Sequence, residues 1–511
     1  SDVCSSDLND MENQETEVTR CMICKQAVDE DLLVLCDGCD HAYHTYCMTG
    51  CECCGKVPNK QFKRVMEVPE GDWFCKHCRD HMPALPEGES PKTVMYGWGR
   101  NDASCLGSGI EAKLVSQPTL LSDVSGDSVV DFGCGTDVSV ALDAQGCLYT
   151  CGDGDSGVLG HQDVVHESLN HFRRVDFFQS GKISKGEGNL TAVSCSGNNI
   201  LAVTKNGHLY GWGENSNGEL GHMDYKPKRL PKKNSAFREL NVQVKQVVMG
   251  DHHVLVLGDD MNVYSMGENA MRQLGVSNNS IEWSPKKLCQ EWKHDRTYRE
   301  EPDFPGPVVR VIAGGNSSMC IDKKGFVYFW GNDFMRLNDS EEASAVSFMN
   351  GRHIISYPKR VELFQGLEMK EVAMGANHMV VLDAKGDVYV GGDNASGQLG
   401  LGEGAPALVK QLTKVPTLHG MTGVFAVDNV SGCYGPEGFF MWGDGTHPIV
   451  PKEEGKEEKV MNVPKKVAEW TNVKKVRASC SHILVMLDAP ESRKREAAPQ
   501  EENASDAKKV E

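Results

Sequence analysis

The sequence predicts two unlike parts: a small finger folded around zinc, then an all-β seven-bladed β-propeller. Three observations predict them. Cysteine and histidine fall in four close pairs between Cys21 and Cys78, and one aromatic-to-glycine motif recurs seven times between Tyr96 and Gly443. The repeating region also opens on the second half of a repeat and closes on the first half, as a ring joined to itself would require.

Residues 1–18 are set aside as a leader. Within them, SDVCSSDL at residues 1–8 reads as a translated sequencing-adapter remnant, with Met11 the expected start, and the remainder is polar and expected to be disordered. The finger is assigned to residues 19–83. Its pairs are Cys21-x2-Cys24, Cys36-x2-Cys39, His44-x2-Cys47 and Cys75-x2-Cys78. Two intervening residues let a tight turn present both side chains to one ion at about 2.0–2.3 Å, so the four pairs make two tetrahedral, structural Zn2+ sites. A segment this short buries little apolar surface, and each zinc is expected to contribute roughly 10 kcal/mol or more to its folding. The competing disulfide framework needs an oxidising compartment, for which the sequence carries no signal-peptide pattern. Leu32, Leu33, Val34 and Leu35 form an apolar run expected as a strand. Cys51, Cys53 and Cys54 sit in the long span before Cys75. A third metal there lacks a fourth ligand, so they are read as a local insertion.

Residues 84–92, with ALPEGESP, form a polar, proline-bearing linker. The propeller is assigned to residues 93–488. Its motif appears at Tyr96–Gly99, Tyr149–Gly152, Tyr210–Gly213, Tyr264–Gly267, Tyr328–Gly331, Tyr389–Gly392 and Phe440–Gly443, with spacings of 53, 61, 54, 64, 61 and 51 residues, each enough for a four-stranded sheet. Before it stand hairpin sequences such as VALDAQGCLY, LAVTKNGHLY, MCIDKKGFVY and VVLDAKGDVY. In these, Gly146, Gly207, Gly325 and Gly386 occupy the turn position that needs positive φ. Residues from 93 onward lack such a hairpin, and residues 476–488 (VRASCSHILVMLD) supply it. Pairing the two pieces closes the ring and removes exposed sheet edges. Trp283 and Trp292, in the long insertion at residues 276–307, are expected to pack across the propeller face, with anchoring of a partner as the alternative. His253 and His378, at the start of inner strands, are expected as hydrogen-bonded core or loop residues and not as metal ligands, and the scattered cysteines as small core residues. The charged tail, residues 489–511, is expected to be disordered, and its Arg493, Lys494 and Arg495 resemble a nuclear import signal.

Composition narrows the partners. With 53 basic and 72 acidic residues the formal charge is -19, which opposes general binding to naked nucleic acid and suits a basic protein. The basic loop with Lys226, Lys228, Arg229, Lys232 and Lys233 is accordingly read as a solvated face, with direct DNA contact weak or absent. No run of 18 apolar residues occurs, so no membrane span is expected.

The finger's ligand order is four Cys, one His and three Cys, with Trp73 just ahead of the last pair. This resembles the PHD-type zinc finger. The resemblance implies a cross-brace, with Cys21, Cys24, His44 and Cys47 on one zinc and Cys36, Cys39, Cys75 and Cys78 on the other. It also implies a reader of the histone H3 amino-terminal tail, the peptide adding a strand alongside Leu32, Leu33, Val34 and Leu35. Asp29, Glu30 and Asp31 would accept hydrogen bonds from an unmodified fourth lysine, Asp37 and Asp40 would pair with the second-position arginine, and carbonyls near Pro69, Glu70 and Gly71 would take the terminal amine. A trimethyl-lysine cage needs aromatic faces, and none lies between Cys21 and Cys39, so the unmodified lysine is favoured. The competing reading of Asp29, Glu30 and Asp31 is a solvated charge run.

The repeats, over roughly residues 93–488, resemble the regulator of chromosome condensation family of seven-bladed propellers. In that family nucleotide exchange on the Ran GTPase uses acidic and histidine residues on one face and a wedge after the third motif. Asp102 matches one acidic position, but Gly197, His252 and Asn377 replace Asp, Asp and His, and residues 212–221 run through without a wedge. The expectation is therefore a nuclear, non-enzymatic chromatin reader and adaptor: the finger engages the H3 tail or nucleosome, and the propeller holds a further protein. Ran exchange is the alternative. A ubiquitin ligase component is a second alternative, opposed by the fifth-position His, since a RING carries His fourth.

Overall fold

The computed structural model describes residues 33–35, 42–44, 93–124, 129–163, 167–178, 188–276, 281–288, 305–337, 346–349, 352–452 and 459–488. The chain divides into two compact units, Ser1–Glu89 and Ser90–Glu511, with the boundary inside residues 84–92. In the first unit, strands Leu33–Leu35 and Ala42–His44 pair antiparallel in the register Leu33↔His44, Val34↔Tyr43 and Leu35↔Ala42. Apart from the backbone of these strands, the expected zinc ligands and histone-contact residues lie outside the described residues, as does Trp292.

The second unit contains seven antiparallel sheets. Blades one to six begin with innermost strands Val129–Cys134, Leu190–Ser196, Val244–Met249, Val308–Gly314, Met369–Met374 and Gly423–Val427, each followed by its neighbours in simple meander order. Blade four adds a fifth strand, Val346–Met349, outside Arg352–Val361. Blade seven takes two strands from each end of the unit: Val473–Ala478 and His482–Asp488, then Thr93–Arg100 and Leu114–Leu120. The seam runs unbroken from Thr93↔Asp488 to Gly99↔His482, which is the ring closure that the split repeat predicts.

Packing explains the sequence pattern blade by blade. The second strands, such as Val138–Asp143, His253–Gly258 and His378–Asp383, are buried at every residue because neighbouring blades cover both faces. They therefore read as continuous apolar runs, not alternating ones. Outer strands such as Ser168–Arg174 face solvent and carry charge. Four third-strand tryptophans, Trp98, Trp212, Trp330 and Trp442, are fully buried. Each donates its indole N–H to a loop carbonyl of the preceding blade: Ile449 (2.6 Å), Val158 (2.7 Å), Gln273 (2.9 Å) and Gln398 (2.9 Å). One residue thus fills the groove between blades and pins the loop above it.

Candidate protein-interaction face

Within each blade, the turn joining the first two strands and the loop after the third strand emerge at the same end. In a ring of like-oriented blades these segments surround the mouth of the central channel, which encloses about 550 Å³ and is lined by the innermost strands of all seven blades. Hydrogen bonds tie neighbouring turns together. Thr136 N donates to Gly197 O (2.7 Å), Asp251 N to Gly315 O (3.0 Å) and Ala376 N to Asp428 O (2.9 Å). Ser196 Oγ donates to Gly250 O (2.7 Å) and Ser481 Oγ to Thr136 O.

The glycine that ends each motif builds the next ring outward. Gly99, Gly152, Gly213, Gly267, Gly331, Gly392 and Gly443 all have φ between +96 and +122. A Cβ at any of them would strike the carbonyl oxygen just before the second strand of the same blade. Both facts require glycine. The close approach lets the following residue donate its N–H to that same carbonyl, at 2.8–3.0 Å in every blade. Those following residues are Arg100, Asp153, Glu214, Glu268, Asn332, Asp393 and Asp444, so five of the seven backbone-fixed positions beside the mouth carry carboxylates.

The turns add Asp137, Asp251 and Asp428. Arg100 is committed to Asp102 (3.0 Å) and Asp137 (3.2 Å), and His447 Nε2 lies 3.1 Å from Asp428. Asp251 is accessible in area but crowded by the neighbouring turns. Loss of hydration there, with the nearby Asp428 and Glu268, pushes its carboxyl above the ordinary value, while His252 opposes the shift. No cluster of metal-ligating side chains occurs among the described residues. What this rim can do is accept lysine and arginine donors from a partner, on a backbone already held by hydrogen bonds.

Between neighbouring innermost strands, the third residue of five of the seven makes a polar link to the next blade. Asp131 Oδ2 accepts from Val193 N (3.0 Å), and Gln246 exchanges two bonds with Val311, donating to O (2.9 Å) and accepting from N (3.1 Å). Arg310 donates to Lys370 O (2.7 Å), and Glu371 accepts from Val424 N (3.2 Å). Lys475 forms an ion pair with Asp131, joining blade seven to blade one.

The four positions compared with the exchange factor share the mouth face. Gly197, His252 and Asn377 lie in first-to-second-strand turns, and Asp102 follows the third strand of blade seven. His253 and His378 are hydrogen-bonded core residues, paired with Ser318 (2.8 Å) and Ser431 (2.7 Å) of the next blade. Of the basic loop, Lys228 is engaged by Asp224 at 2.6 Å. Trp283, on the outer strand Glu282–Lys287, packs against Tyr225 of blade two and remains 44% exposed. The acidic ring escaped the sequence reading, although its signal was present in the acidic residue directly after five of the motif glycines.

A family model described as the RCC1-like domain matches residues 93–485. The chain is 26% identical over 325 residues to the ultraviolet-B receptor UVR8 of Arabidopsis thaliana, covering 63% of this chain and 65% of the receptor. It is 28% identical over 402 residues to the human E3 ubiquitin-protein ligase HERC2, covering 70% of this chain and 8% of the ligase. It thus spans less than two thirds of either relative. Among solved structures, Saccharomyces cerevisiae Prp20p, described with its binding properties to Gsp1p and histones, is similar with a TM-score of 0.66 and 21% identity, covering 79% of this chain and 93% of that one. That likeness is one of fold.

Proposed function

Because the chain belongs to the RCC1-like domain family through residues 93–485, we propose that it is a non-enzymatic chromatin adaptor whose propeller receives a basic protein surface on its acidic mouth face. The observation that carries this reading is the ring of Asp153, Glu214, Glu268, Asp393 and Asp444 around Asp137, Asp251 and Asp428, each ring member anchored by its own backbone N–H. Fixed carboxylates attract a cationic partner over distance and lose little freedom on meeting it. Histone binding named for Prp20p agrees with that chemistry.

The finger extends the proposal. Cys21, Cys24, His44 and Cys47, with Cys36, Cys39, Cys75 and Cys78, offer thiolate and imidazole donors in the numbers two tetrahedral structural zinc ions take, a set fitted to holding the fold and not to chemistry. One edge of Leu33–Leu35 is used by Ala42–His44, and no further strand among the described residues pairs with the other. That leaves an edge for the H3 tail, with Asp29, Glu30 and Asp31 for an unmodified fourth lysine, and a nuclear site of action follows from the partner. Two moderate contacts on one chain raise the effective affinity for a nucleosome.

Calorimetry with the zinc-loaded full chain tests both halves. Unmodified H3 tail peptide is expected to bind more tightly than the trimethylated peptide and to be lost on Asp29→Ala or Asp31→Ala. Core histones are expected to bind more weakly to Asp251→Asn/Asp428→Asn. Equal binding by all variants overturns the reading. Stimulated nucleotide release from Ran would favour the exchange alternative, against which Gly197, His252 and Asn377 count, and discharge of a charged E2 would favour a ligase role.

A further inference from the structure

We propose that the outer rim between blades two and three is a second docking site, specific for an acidic peptide segment that carries one large apolar residue. This site uses propeller residues other than the carboxylates of the acidic mouth. Tyr225, on the loop after the third strand of blade two, meets Trp283, on the outer strand of blade three, with ring centroids 4.7 Å apart and planes at 75°. Both rings remain open to solvent, at 41% and 44%, and Met223 beside them is 53% exposed. A tryptophan, a tyrosine and a methionine exposed together form the kind of apolar anchor site that dominates binding energy when a partner covers it.

The patch is presented by a rigid support. Met223 N donates to Trp283 O at 2.9 Å, tying the loop of blade two to blade three. Asn215, fully buried beneath the loop, donates to Asp224 O (2.7 Å) and Lys226 O (3.2 Å). Asp224 itself is occupied by Lys228, and that cation holds its carboxyl below the usual value despite the opposing loss of hydration. No carboxylate among the described residues pairs with Lys226 or Lys232, while Arg229 lies on the other side of blade two, against Gly157 of blade one. The rim therefore joins open aromatic surface to unpaired cations on a protein whose net charge is -19. That sign pattern selects an acidic protein segment. A long polyanion such as nucleic acid would meet the repulsion of the whole molecule, whereas a short acidic peptide presents only the charges the rim can match. Met223, 53% exposed beside the rings, offers flexible apolar contact, which suits a leucine or phenylalanine better than a base.

The test is selection of random short displayed peptides on the full chain, with Trp283→Ser as the counter-selecting surface. The expected winners carry aspartate or glutamate around one Leu, Phe or Trp. A synthetic copy is expected to lose roughly tenfold or more in affinity on Trp283→Ser and, separately, on Lys226→Glu/Lys232→Glu. Its binding is expected to be unchanged by Asp251→Asn/Asp428→Asn, so failure of the mouth proposal and failure of this one are read apart. All three rim positions are exposed or pinned only through backbone, and unchanged melting of the variants separates lost binding from lost fold. Winners without acidic enrichment, peptide binding indifferent to both rim variants, rim-dependent binding of an oligothymidine in preference to the peptides, or rim-dependent self-association would each overturn the proposal.

Discussion

At the scale of single residues, the motif glycines carry more of the fold than their size suggests. Gly213 has φ +122, and a Cβ there would meet Asn198 O, while Gly402 has φ +92 with open space around it. Gly213→Ala therefore combines backbone strain with a collision, and about 2–4 kcal/mol of destabilisation is expected; Gly402→Ala should cost only the strain, about 1 kcal/mol. Urea midpoints of the two variants check the order. These glycines were legible in the sequence because seven copies share one geometry. The third-position residues of the innermost strands were not. Asp131, Gln246, Arg310, Glu371 and Lys475 occupy one structural place with five chemistries, since each addresses whatever backbone group or charge its own neighbour presents. No residue pattern encodes a position whose role changes from blade to blade.

Between elements, three histidines at the start of second strands bridge neighbouring blades: His253 to Ser318, His378 to Ser431 and His482 to Ser139. Ser318 and Ser431 give their own protons to Gln273 O and Gln398 O at 2.7 Å. Each must therefore accept from the histidine, which fixes Nε2–H as the donor. Nδ1 of His253 and of His378 is buried without a partner, so a second ring proton would have nothing to bond. Burial accordingly lowers these histidines from an ordinary 6.5 to about 3, 4 and 3 for His253, His378 and His482. The sign follows. Between those values and 6.5 the unfolded chain binds protons that the folded one refuses, so stability is complete above the unfolded value and falls as pH drops toward 4. The loss approaches roughly 1.4 kcal/mol per pH unit for each histidine. Urea titrations from neutral pH to pH 4.5 should show that decline, and His378→Gln should flatten its slope. A core role for His253 and His378 was readable from their place at the start of inner strands; their serine partners, in the next blade of the ring, were not.

For the whole molecule, the decisive feature is the seam. The split repeat made it readable, because a ring built from whole repeats would have no half to complete. What the sequence did not reveal is that the Asp131–Lys475 pair locks the first innermost strand against the last. Removing one partner leaves a largely buried charge with less compensation than before. Lys475→Gln is therefore expected to destabilise the propeller by about 2–4 kcal/mol, and Asp131→Asn/Lys475→Gln by less than the sum of the single changes. Equal, additive losses in denaturation would show that the pair contributes nothing to closure. The finger's zinc chemistry rests on ligand spacing alone, because its donors lie outside the described residues except for the backbone of Leu33–Leu35 and Ala42–His44.

The same seam has a mechanical consequence. Thr93 and Asp488 are paired directly at the outset of a seven-step antiparallel register that ends at Gly99 and His482. A force pulling those two residues apart would load one pair at a time, beginning with the first, and so unzip the joint. The same bonds pulled along the strands would share the load. Heat must break the closing blade as a unit, but tension between the ends of the propeller meets only its weakest link at each step, so the ring should open under modest load and reclose when the load is released.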